Sequence, residues 1–268
     1  MDDKSIASSR PVGIFDSGIG GLSVAQKIRE LLPNEDIVYV ADSLHAPYGE
    51  KSDSYIFHRM SAVTEFLLAH NVKAVVVACN TATTTAISRL RACYPIPIIG
   101  VEPGIKPAAL STHTGIIGVL ATPRTLQTHS FTALAQRFAK NVRIEIQPCP
   151  DLVTRIEALN LNGEQTVTLL RQYIFPLLDK GADTIVLGCT HYNHLSGLIS
   201  QVAGENISII KTDAAVAREV ARRLSSEALL ATNNHAGNEE FWTSGSLAVY
   251  HQQIEQLWGK NSKCYHWL

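Results

Sequence analysis

Two short apolar runs that each lead to a cysteine constrain the fold of this chain more than any other feature. The run Ala74–Val77 leads to Cys79, and the run Thr184–Leu187 leads to Cys189. Runs of this length and composition predict buried strands, and the polar residues after each cysteine predict that the strand ends there. In open α/β sheets, ligands bind at the carboxyl ends of the strands, near the N-termini of the following helices. The sequence therefore predicts two thiols that face one site.

Strand and helix patterns alternate along the rest of the chain. This alternation is typical of an α/β protein with mainly parallel sheets that are covered by helices. Besides the two runs above, the predicted strands are 11–15, 37–41, 96–100, 118–122, 142–146, 207–211 and 241–244. The predicted helices are 22–32, 53–70, 80–92, 125–138, 151–159, 164–180, 214–226 and 246–257, and a polar loop is predicted at 231–240.

The second part of the chain repeats the pattern of the first. Residues 118–122 match residues 13–17 at an offset of 105, and Cys189 follows Cys79 at an offset of 110. Two α/β halves that each present a cysteine at a strand end would form a site in the cleft between them. The repeat predicts two similar α/β domains: a discontinuous first domain of residues 1–99 and 208–268, and a second domain of residues 100–207.

The composition is that of an ordinary soluble enzyme, with 46% apolar and 18% charged residues. A net charge of −1 gives no reason to predict nucleic acid or a membrane as partner. The polar start of the chain lacks the apolar core of a signal peptide, and no apolar run reaches the roughly 18 to 20 residues that span a bilayer. Five widely spaced cysteines indicate neither a disulfide framework nor a structural zinc site. We therefore expect a cytoplasmic protein.

Each of the two strand-end cysteines has neighbours that suit a reactive thiol. A thiol with an ordinary pKa of about 8.5 needs a helix N-terminus or a cation before it can act as a base at neutral pH. Both cysteines lie where a strand turns into a helix, and His191 can exchange a proton with Cys189. Asp16, at the end of the first strand, can serve Cys79 in the same way. The alternative for any single cysteine is a small buried hydrophobic residue. That interpretation is kept for the remaining cysteines, Cys93, Cys149 and Cys264.

The glycine-rich stretch 16–21 opens a helix, so a phosphate site has to be considered. It lacks the G-x-G-x-x-G order and the Gly-Lys-Ser/Thr ending of nucleotide-binding loops, and the Asp16 carboxylate would repel a phosphate. Backbone N–H groups that bind a small carboxylate, with Asp16 on an ammonium group, fit these residues better. A plain helix N-cap is an equally good interpretation of Asp16 and Ser17 on their own.

Other candidate sites are weaker. Cys189, His191 and Asp16 could ligate a metal, but three ligands from separate segments are rarely a metal site, and we predict none. No lysine lies in a context that suggests a pyridoxal Schiff base, so no cofactor is predicted. Residues 47–49 alone indicate a turn.

Taken together, these motifs resemble those of the glutamate racemases, within the wider aspartate/glutamate racemase superfamily. They recur in the family's order over nearly the whole chain, and residues 241–245 also look like the family's late strand. The motifs that carry the resemblance are residues 13–24 (GIFDSGIGGLSV), 47–49 (PYG), 78–82 (ACNTA) and 187–192 (LGCTHY).

The resemblance implies a cofactor-independent enzyme that interconverts L- and D-glutamate and supplies D-glutamate for peptidoglycan. Inversion of an α-carbon without a cofactor needs a base on one face and an acid on the other. By resemblance, Cys79 takes the α-proton of D-glutamate and Cys189 takes that of L-glutamate. Asp16 and His191 assist as partners of the thiolates, and Glu157 matches a carboxylate that the family places near the second cysteine.

The family's substrate-contacting positions also have counterparts in this sequence. They come from the glycine-rich stretch, from the turn at 47–49, from the residues after each cysteine and from the start of the second half. They are Asp16, Ser17, Pro47, Tyr48, Gly49, Asn80, Thr81, Thr122, Thr125, Thr190 and His191. The resemblance further implies a homodimer.

The sequence departs from the family pattern close to Cys189. Asn193 stands where most relatives have proline, and His194 follows it. Three residues between 150 and 156 also differ from the apolar or proline residues that are usual there. The acid/base set is intact, so these departures concern the surroundings of Cys189.

Two other classes of function stay open on the sequence alone. A related enzyme on the same scaffold could racemise aspartate or a hydantoin, or could decarboxylate its substrate with one cysteine. The second cysteine speaks against the decarboxylase, whereas the length of the substrate cannot be read from the sequence. A non-catalytic amino-acid-binding protein with two lobes would need neither thiol, and such proteins are often exported.

Overall fold

The computed structural model describes residues 8–232, 235–259 and 262–267. Most of the polar start of the chain, and positions 233 and 234 of the predicted polar loop, lie outside the described residues. Every helix in the described ranges is too short or too polar to cross a membrane.

The strands of the described ranges lie mostly where apolar runs predict them. Four of them are buried along their whole length, as expected of strands that are covered on both faces. These four are Val12–Asp16, Ile37–Ala41, Ala74–Val77 and Thr184–Leu187. The strands are β1 (Val12–Asp16), β2 (Ile37–Ala41), β3 (Ala74–Val77), β4 (Ile98–Gly100), β5 (Ile116–Ala121), β6 (Arg143–Pro148), β7 (Thr184–Leu187), β8 (Ser208–Ile210), β9 (Glu239–Thr243) and β10 (Cys264–His266).

Helices connect these strands and cover the sheets. They are α1 (Leu22–Leu31), α2 (Asp53–Ala69), α3 (Asn80–Cys93), α4 (Ile105–Ser111), α5 (Pro123–Gln127), α6 (His129–Phe138), α7 (Leu152–Glu157), α8 (Glu164–Asp179), α9 (Ser196–Ala203), α10 (Asp213–Ser226) and α11 (Leu247–Trp258). Short 3-10 helices follow β2 and β7, at Ser43–His45, Tyr48–Glu50 and Thr190–Leu195.

The strands form two parallel sheets with a shared order. The first sheet has the order β10-β9-β2-β1-β3-β4 and the second has the order β6-β5-β7-β8. Every pair within them is parallel. The part β2-β1-β3-β4 of the first sheet corresponds strand for strand to the second sheet. In both units the cysteine follows the third strand in chain order, beside the central first strand. The prediction of two similar α/β units with mainly parallel sheets is confirmed.

Strand β8 differs from the predicted division of the chain. A boundary between residues 207 and 208 assigns Ser208–Ile210 to the first domain, but this strand pairs with β7 in the second sheet. It is the counterpart of β4, which lies at the same edge of the first sheet. Beyond it, β9 and β10 return to the first sheet, so the chain enters the first unit twice, as the sequence predicts.

The predicted helix at 125–138 is wrong, because the structure has two helices there. Thr128 separates them with an extended backbone (φ −74°, ψ 145°), and its hydroxyl accepts the N–H of Phe131 at 3.2 Å. Thr122 caps the first of the two helices in the same way. Threonine favours helix caps over helix interiors because its hydroxyl competes for backbone partners. Helices α4 and α9 and strand β10 are not among the predicted elements.

Alternate residues of the central strand face different parts of the core. Val12 and Ile14 face a central apolar cluster, whereas Phe15 packs on the opposite side of the sheet. The central cluster continues into the second unit, where Leu120 and Ile185 belong to it. The two units therefore share one apolar core beneath the strand ends that carry the cysteines.

A buried ion pair closes the end of the first sheet that lies opposite the cysteines. Lys73 precedes β3 and pairs with Glu35, which precedes β2, and both side chains are almost fully buried. Lys73→Met leaves the Glu35 carboxylate buried without its counter-charge. We expect the free energy of unfolding to fall by about 3–5 kcal/mol, as measured by urea denaturation.

The double variant Lys73→Met/Glu35→Leu removes both charges and serves as the control. It should recover most of the lost stability, because paired hydrophobic residues replace a buried ion pair at little cost. A double variant that is as unstable as the single one would contradict this account.

Candidate active site

The glycine-rich stretch after β1 brings the backbone of the first unit against side chains of the second. Asp16 ends β1, and two of the glycines that follow allow an approach that a side chain would block. A Cβ on Gly18 would overlap the carboxylate of Glu157, and one on Gly20 would overlap the ring of His191. These glycines therefore serve close packing between the two units.

Cys79 follows β3 and caps helix α3. Its Sγ accepts the N–H of Ala82 at 3.5 Å, and its S–H donates to the hydroxyl of Ser17 at 3.7 Å. Burial raises the pKa of the Cys79 thiol to about 12, and the charges of Asp16 and, to a smaller extent, Cys189 act in the same direction. Cys79 is therefore a neutral thiol in this state.

Cys189 occupies the equivalent place after β7, where the short helix Thr190–Leu195 begins. Its Sγ lies 3.8 Å from Nδ1 of His191, and Nε2 of the same ring lies 2.5 Å from Oε1 of Glu157. Burial alone would lower the pKa of His191. The contacts with Cys189 and Glu157 outweigh burial, so the pKa of His191 lies well above its ordinary value. A protonated His191 attracts negative charge that forms on the sulfur of Cys189.

Glu157, at the end of α7, is the counter-charge of His191. Its Oε1 also accepts the N–H of Ile19 at 2.9 Å, and Gln253 donates to its backbone carbonyl at 2.6 Å. Ile19 belongs to the glycine-rich stretch and Gln253 belongs to α11. Two distant parts of the chain therefore hold Glu157 beside His191.

The carboxylate of Asp16 joins the surroundings of the two cysteines. Its Oδ1 accepts the hydroxyl of Ser17 at 3.1 Å, and its Oδ2 accepts the hydroxyl of Thr190 at 2.7 Å. Burial raises the pKa of this carboxyl, and its hydrogen bonds oppose the increase. Ser17 contacts Cys79 and Thr190 follows Cys189, so both cysteines belong to one connected network.

Three buried threonines close the cleft between the units. Thr81, on α3 of the first unit, contacts Thr122 and Thr125 of the second unit, with 3.1 Å between the hydroxyl oxygens in each case. The hydroxyls of Thr122 and Thr125 lie 3.0 Å apart. The three side chains thus form a triangle of hydroxyl groups across the cleft.

The turn at 47–49 faces the second unit through its backbone. A Cβ on Gly49 would lie 3.2 Å from Cβ of Thr122, so the turn and the threonine triangle are close neighbours. Pro47 immediately precedes the short helix that contains Tyr48. The hydroxyl of Tyr48 donates to Asp42 at 2.6 Å and is buried there. Any contact of Tyr48 with a substrate therefore has to come from its backbone or its ring.

Asn80, the first residue of α3, has an unused acceptor. Its Nδ2 donates to the carbonyl of Val101 at 3.5 Å. Its Oδ1 is buried and has no hydrogen-bond partner among the described residues. Buried acceptors are nearly always paired, so this oxygen is available to a further donor.

The predicted site residues thus form three neighbouring groups. The network around Asp16 contains Asp16, Ser17, Cys79, Glu157, Cys189, Thr190 and His191. The triangle contains Thr81, Thr122 and Thr125. Pro47, Tyr48, Gly49 and Asn80 border these two groups.

Sequence reasoning missed the buried cluster that supports the turn. Asp42 accepts two hydrogen bonds from Arg59 and one from Ser244, each at 2.9 Å, besides that from Tyr48. Asp42 directly follows the buried strand β2. An acidic residue at the end of a buried strand is also the signal that identified Asp16 at the end of β1. Asp42, but not the rest of the cluster, could therefore have been found from the sequence.

The described ranges hold no group of three or more histidine, cysteine, aspartate or glutamate side chains that could bind a metal ion. The three residues weighed above as ligands are engaged with other groups. Asp16 accepts from Thr190, and His191 bridges Cys189 and Glu157. The arrangement suits proton transfer by two thiols.

The sequence has relatives that match nearly its whole length. The profile of the family Asp/Glu/Hydantoin racemase matches residues 13–220. The glutamate racemase of Ectopseudomonas mendocina is 50% identical over 257 residues, which is 96% of this chain and 97% of that protein. The glutamate racemase of Pseudomonas aeruginosa is 48% identical over 252 residues, 94% of this chain and 95% of that protein. This chain therefore belongs to the Asp/Glu/Hydantoin racemase family and is an isomerase.

Within that family, several solved structures that cover nearly the whole chain are those of glutamate racemases. RacE1 of Bacillus anthracis has a TM-score of 0.86 at 32% identity, covering 96% of this chain and 97% of that one. The Escherichia coli glutamate racemase, in complex with L-glutamate and the activator UDP-MurNAc-Ala, has a TM-score of 0.85 at 34% identity with the same coverage. The Francisella tularensis glutamate racemase, in complex with D-glutamate, has a TM-score of 0.85 at 26% identity and covers 97% of this chain and 98% of that one. The resemblance to glutamate racemases that the motifs predicted is confirmed.

The substitution Glu157→Gln should lower the pKa of His191. The amide keeps the shape of the side chain but removes the negative charge 2.5 Å from Nε2, which is one of the groups that hold this pKa above its ordinary value. Proton NMR titration of the histidine rings measures the change, and the spectrum of His191→Ala assigns the signal.

Glu164→Gln is the matched control, because Glu164 is exposed at the start of α8. This substitution also removes one negative charge, but from a site away from the ring of His191. The pKa of His191 should therefore be the same as in the wild type. An unchanged midpoint in Glu157→Gln would show that this carboxylate does not hold the imidazolium.

Proposed function

We propose that this protein interconverts L- and D-glutamate by proton transfer to and from two thiols, without a cofactor. The observation that carries the proposal is that Cys79 and Cys189 follow equivalent strands of two similar units and share one network through Asp16. Racemisation needs a base on one face of the α-carbon and an acid on the other. Relatives that match nearly the whole chain are glutamate racemases, and two of them have been solved with D- or L-glutamate.

The site has partners for each charged group of an amino acid. The carboxylate of Asp16 and the unused Oδ1 of Asn80 are acceptors for an α-ammonium group. The N-terminus of α3 and the hydroxyls of Thr81, Thr122 and Thr125 are donors for carboxylate oxygens. This combination of acceptors and donors fits a small dicarboxylic amino acid.

The reaction from L-glutamate starts at Cys189. Its thiolate takes the α-proton, and the electron pair of the broken C–H bond stays on the α-carbon and is shared with the neighbouring carboxylate. The thiol of Cys79 then gives its proton to the opposite face, which forms the new C–H bond of D-glutamate. Cys189 ends as a thiol and Cys79 as a thiolate, which is the state that accepts D-glutamate for the reverse reaction.

The surroundings of the two sulfurs suit the first proton transfer of this reaction. A protonated His191 lies 3.8 Å from Sγ of Cys189 and attracts negative charge to that sulfur. Burial holds Cys79 as a thiol by raising its pKa to about 12. One anionic and one neutral sulfur are what a proton transfer from L-glutamate requires. Asp16 is connected to Cys79 through the hydroxyl of Ser17 and assists the reverse reaction by that route.

Incubation with L-glutamate in heavy water tests the proposal. We expect the optical rotation to decay to zero and the product isomer to carry solvent deuterium on its α-carbon, followed by proton NMR. Cys79→Ser and Cys189→Ser should each lower the rate by about 10³-fold or more, because a serine hydroxyl is a far weaker acid than a thiol. Cys93→Ser, at an exposed cysteine outside the network, should keep the wild-type rate.

Other outcomes would favour the alternative functions. Loss of rotation with L-aspartate and not with L-glutamate would identify an aspartate racemase. Release of carbon dioxide would identify a decarboxylase, and binding of glutamate without exchange of its α-hydrogen would identify a binding protein. Full activity of either serine variant would rule out the two-thiol mechanism.

The resemblance to glutamate racemases also supports a cellular role. We infer that the enzyme works in the cytoplasm as a homodimer and supplies D-glutamate for peptidoglycan. The wild-type chain, and not Cys189→Ser, should then restore growth of a bacterium that depends on added D-glutamate.

For the homodimer, sedimentation should give about twice the 29.2 kDa mass of one chain. Growth without added D-glutamate in the presence of Cys189→Ser would contradict the role, and a monomeric mass would contradict the dimer.

A further inference from the structure

Two side chains of the short helix after Cys189 reach the glycine-rich stretch of the first unit. Nδ2 of Asn193 donates to the hydroxyl of Ser23 at 3.0 Å, and that hydroxyl donates to the carbonyl of Gly20 at 3.0 Å. Nε2 of His194 faces the carbonyl of Ile19 at 3.1 Å and therefore carries the hydrogen that it donates. His194 thus holds the carbonyl of Ile19 directly, and Asn193 holds the carbonyl of Gly20 through the hydroxyl of Ser23.

The peptide groups of Ile19 connect this contact to the reacting sulfur. The carbonyl of Ile19 accepts from His194, and its N–H donates to Oε1 of Glu157 at 2.9 Å. The same carboxylate oxygen lies 2.5 Å from His191, whose other nitrogen lies 3.8 Å from Sγ of Cys189. A shift of the backbone at Ile19 would therefore be felt at Cys189 through this chain of contacts.

We propose that Asn193 and His194 are positioning residues for the Cys189 half of the reaction. They hold the backbone of the glycine-rich stretch in place, so that the pair of Glu157 and His191 stays aligned on the sulfur. This inference rests on the two-thiol mechanism proposed above.

The contacts of Cys79 follow a different route. Its sulfur contacts the hydroxyl of Ser17 and the N–H of Ala82. Ser17 lies at the β1 end of the stretch, where its hydroxyl donates to Asp16, and it contacts neither Asn193 nor His194 through a hydrogen bond; Ala82 is fixed within α3. Loss of the hydrogen bonds of Asn193 and His194 should therefore affect the thiol of Cys189 more than that of Cys79.

His194 contributes a hydrogen bond and no charge at neutral pH. Burial lowers the pKa of His194 to about 4, and the positive charge of His191 acts in the same direction. Removal of its ring therefore changes the position of the backbone at Ile19 without changing the charge around Cys189.

The test compares Asn193→Ala, His194→Ala and the conservative His194→Gln with the wild type. Thr64→Val is the matched control, because the buried hydroxyl of Thr64 donates to the carbonyl of Met60 in α2, away from both cysteines. For each protein, kcat/KM is measured in both directions, together with the primary isotope effects of α-deuterated L-glutamate and α-deuterated D-glutamate. Thermal denaturation records the stability of each variant.

We expect the two alanine variants to lose about tenfold in kcat/KM, the size of one lost hydrogen bond in the transition state. The loss must be equal in both directions, because the two enantiomers have the same free energy. The isotope effect should rise for L-glutamate, whose α-proton is taken by Cys189, and should fall for D-glutamate. His194→Gln keeps an amide N–H for the carbonyl of Ile19 and should restore most of the activity and both isotope effects.

A purely structural role would give a different result. Thr64→Val should lower the denaturation temperature and leave both isotope effects unchanged. Alanine variants that lose activity while their isotope effects stay at the wild-type values, or that lose no activity, would overturn the inference. A wild-type enzyme that does not racemise glutamate would instead overturn the proposed function.

Discussion

The fit between the two units depends on one buried carboxylate. Asp16 has no exposed surface, and it accepts hydrogen bonds from Ser17 in its own unit and from Thr190 in the other. A buried charge is tolerated only where such donors surround it, so the carboxylate determines how the two strand ends face each other. In the function proposed above, the same group meets the ammonium group of the substrate. The contacts that join the two units would then also serve recognition of an amino acid.

The repeat supplies two similar half-sites, and the charges make them different. Each cysteine follows the third strand of its unit, which suits a reaction whose substrate and product are mirror images. However, contacts with Cys189 and Glu157 raise the pKa of His191 well above its ordinary value, whereas burial raises the pKa of Cys79 to about 12 and the charge of Asp16 acts in the same direction. The two half-sites are therefore alike in their backbone and different in their charges.

The sequence predicted where the two cysteines lie better than it predicted the side chains that support the cleft. Cys79 and Cys189 carry a local signal, a short apolar strand followed by polar residues, and the sheet order brings such strand ends together. Arg59 lies in a helical pattern where it looks like a surface cation, and its pairing with Asp42 is a tertiary contact that no local pattern shows. Strand β10 was missed because Cys264–His266 lacks the run of isoleucines that marks the equally short strands β4 and β8.

The triangle of Thr81, Thr122 and Thr125 has a further consequence for the cleft. Each hydroxyl can rotate, so around the ring every oxygen can give one hydrogen and receive another, with either sense of rotation equivalent. An anion that enters can be met by all three hydrogens after rotation about C–O bonds alone, while the oxygens stay where they are. The same side chains can therefore bond to one another or solvate a carboxylate, and the three hydroxyl groups are uncharged in both arrangements.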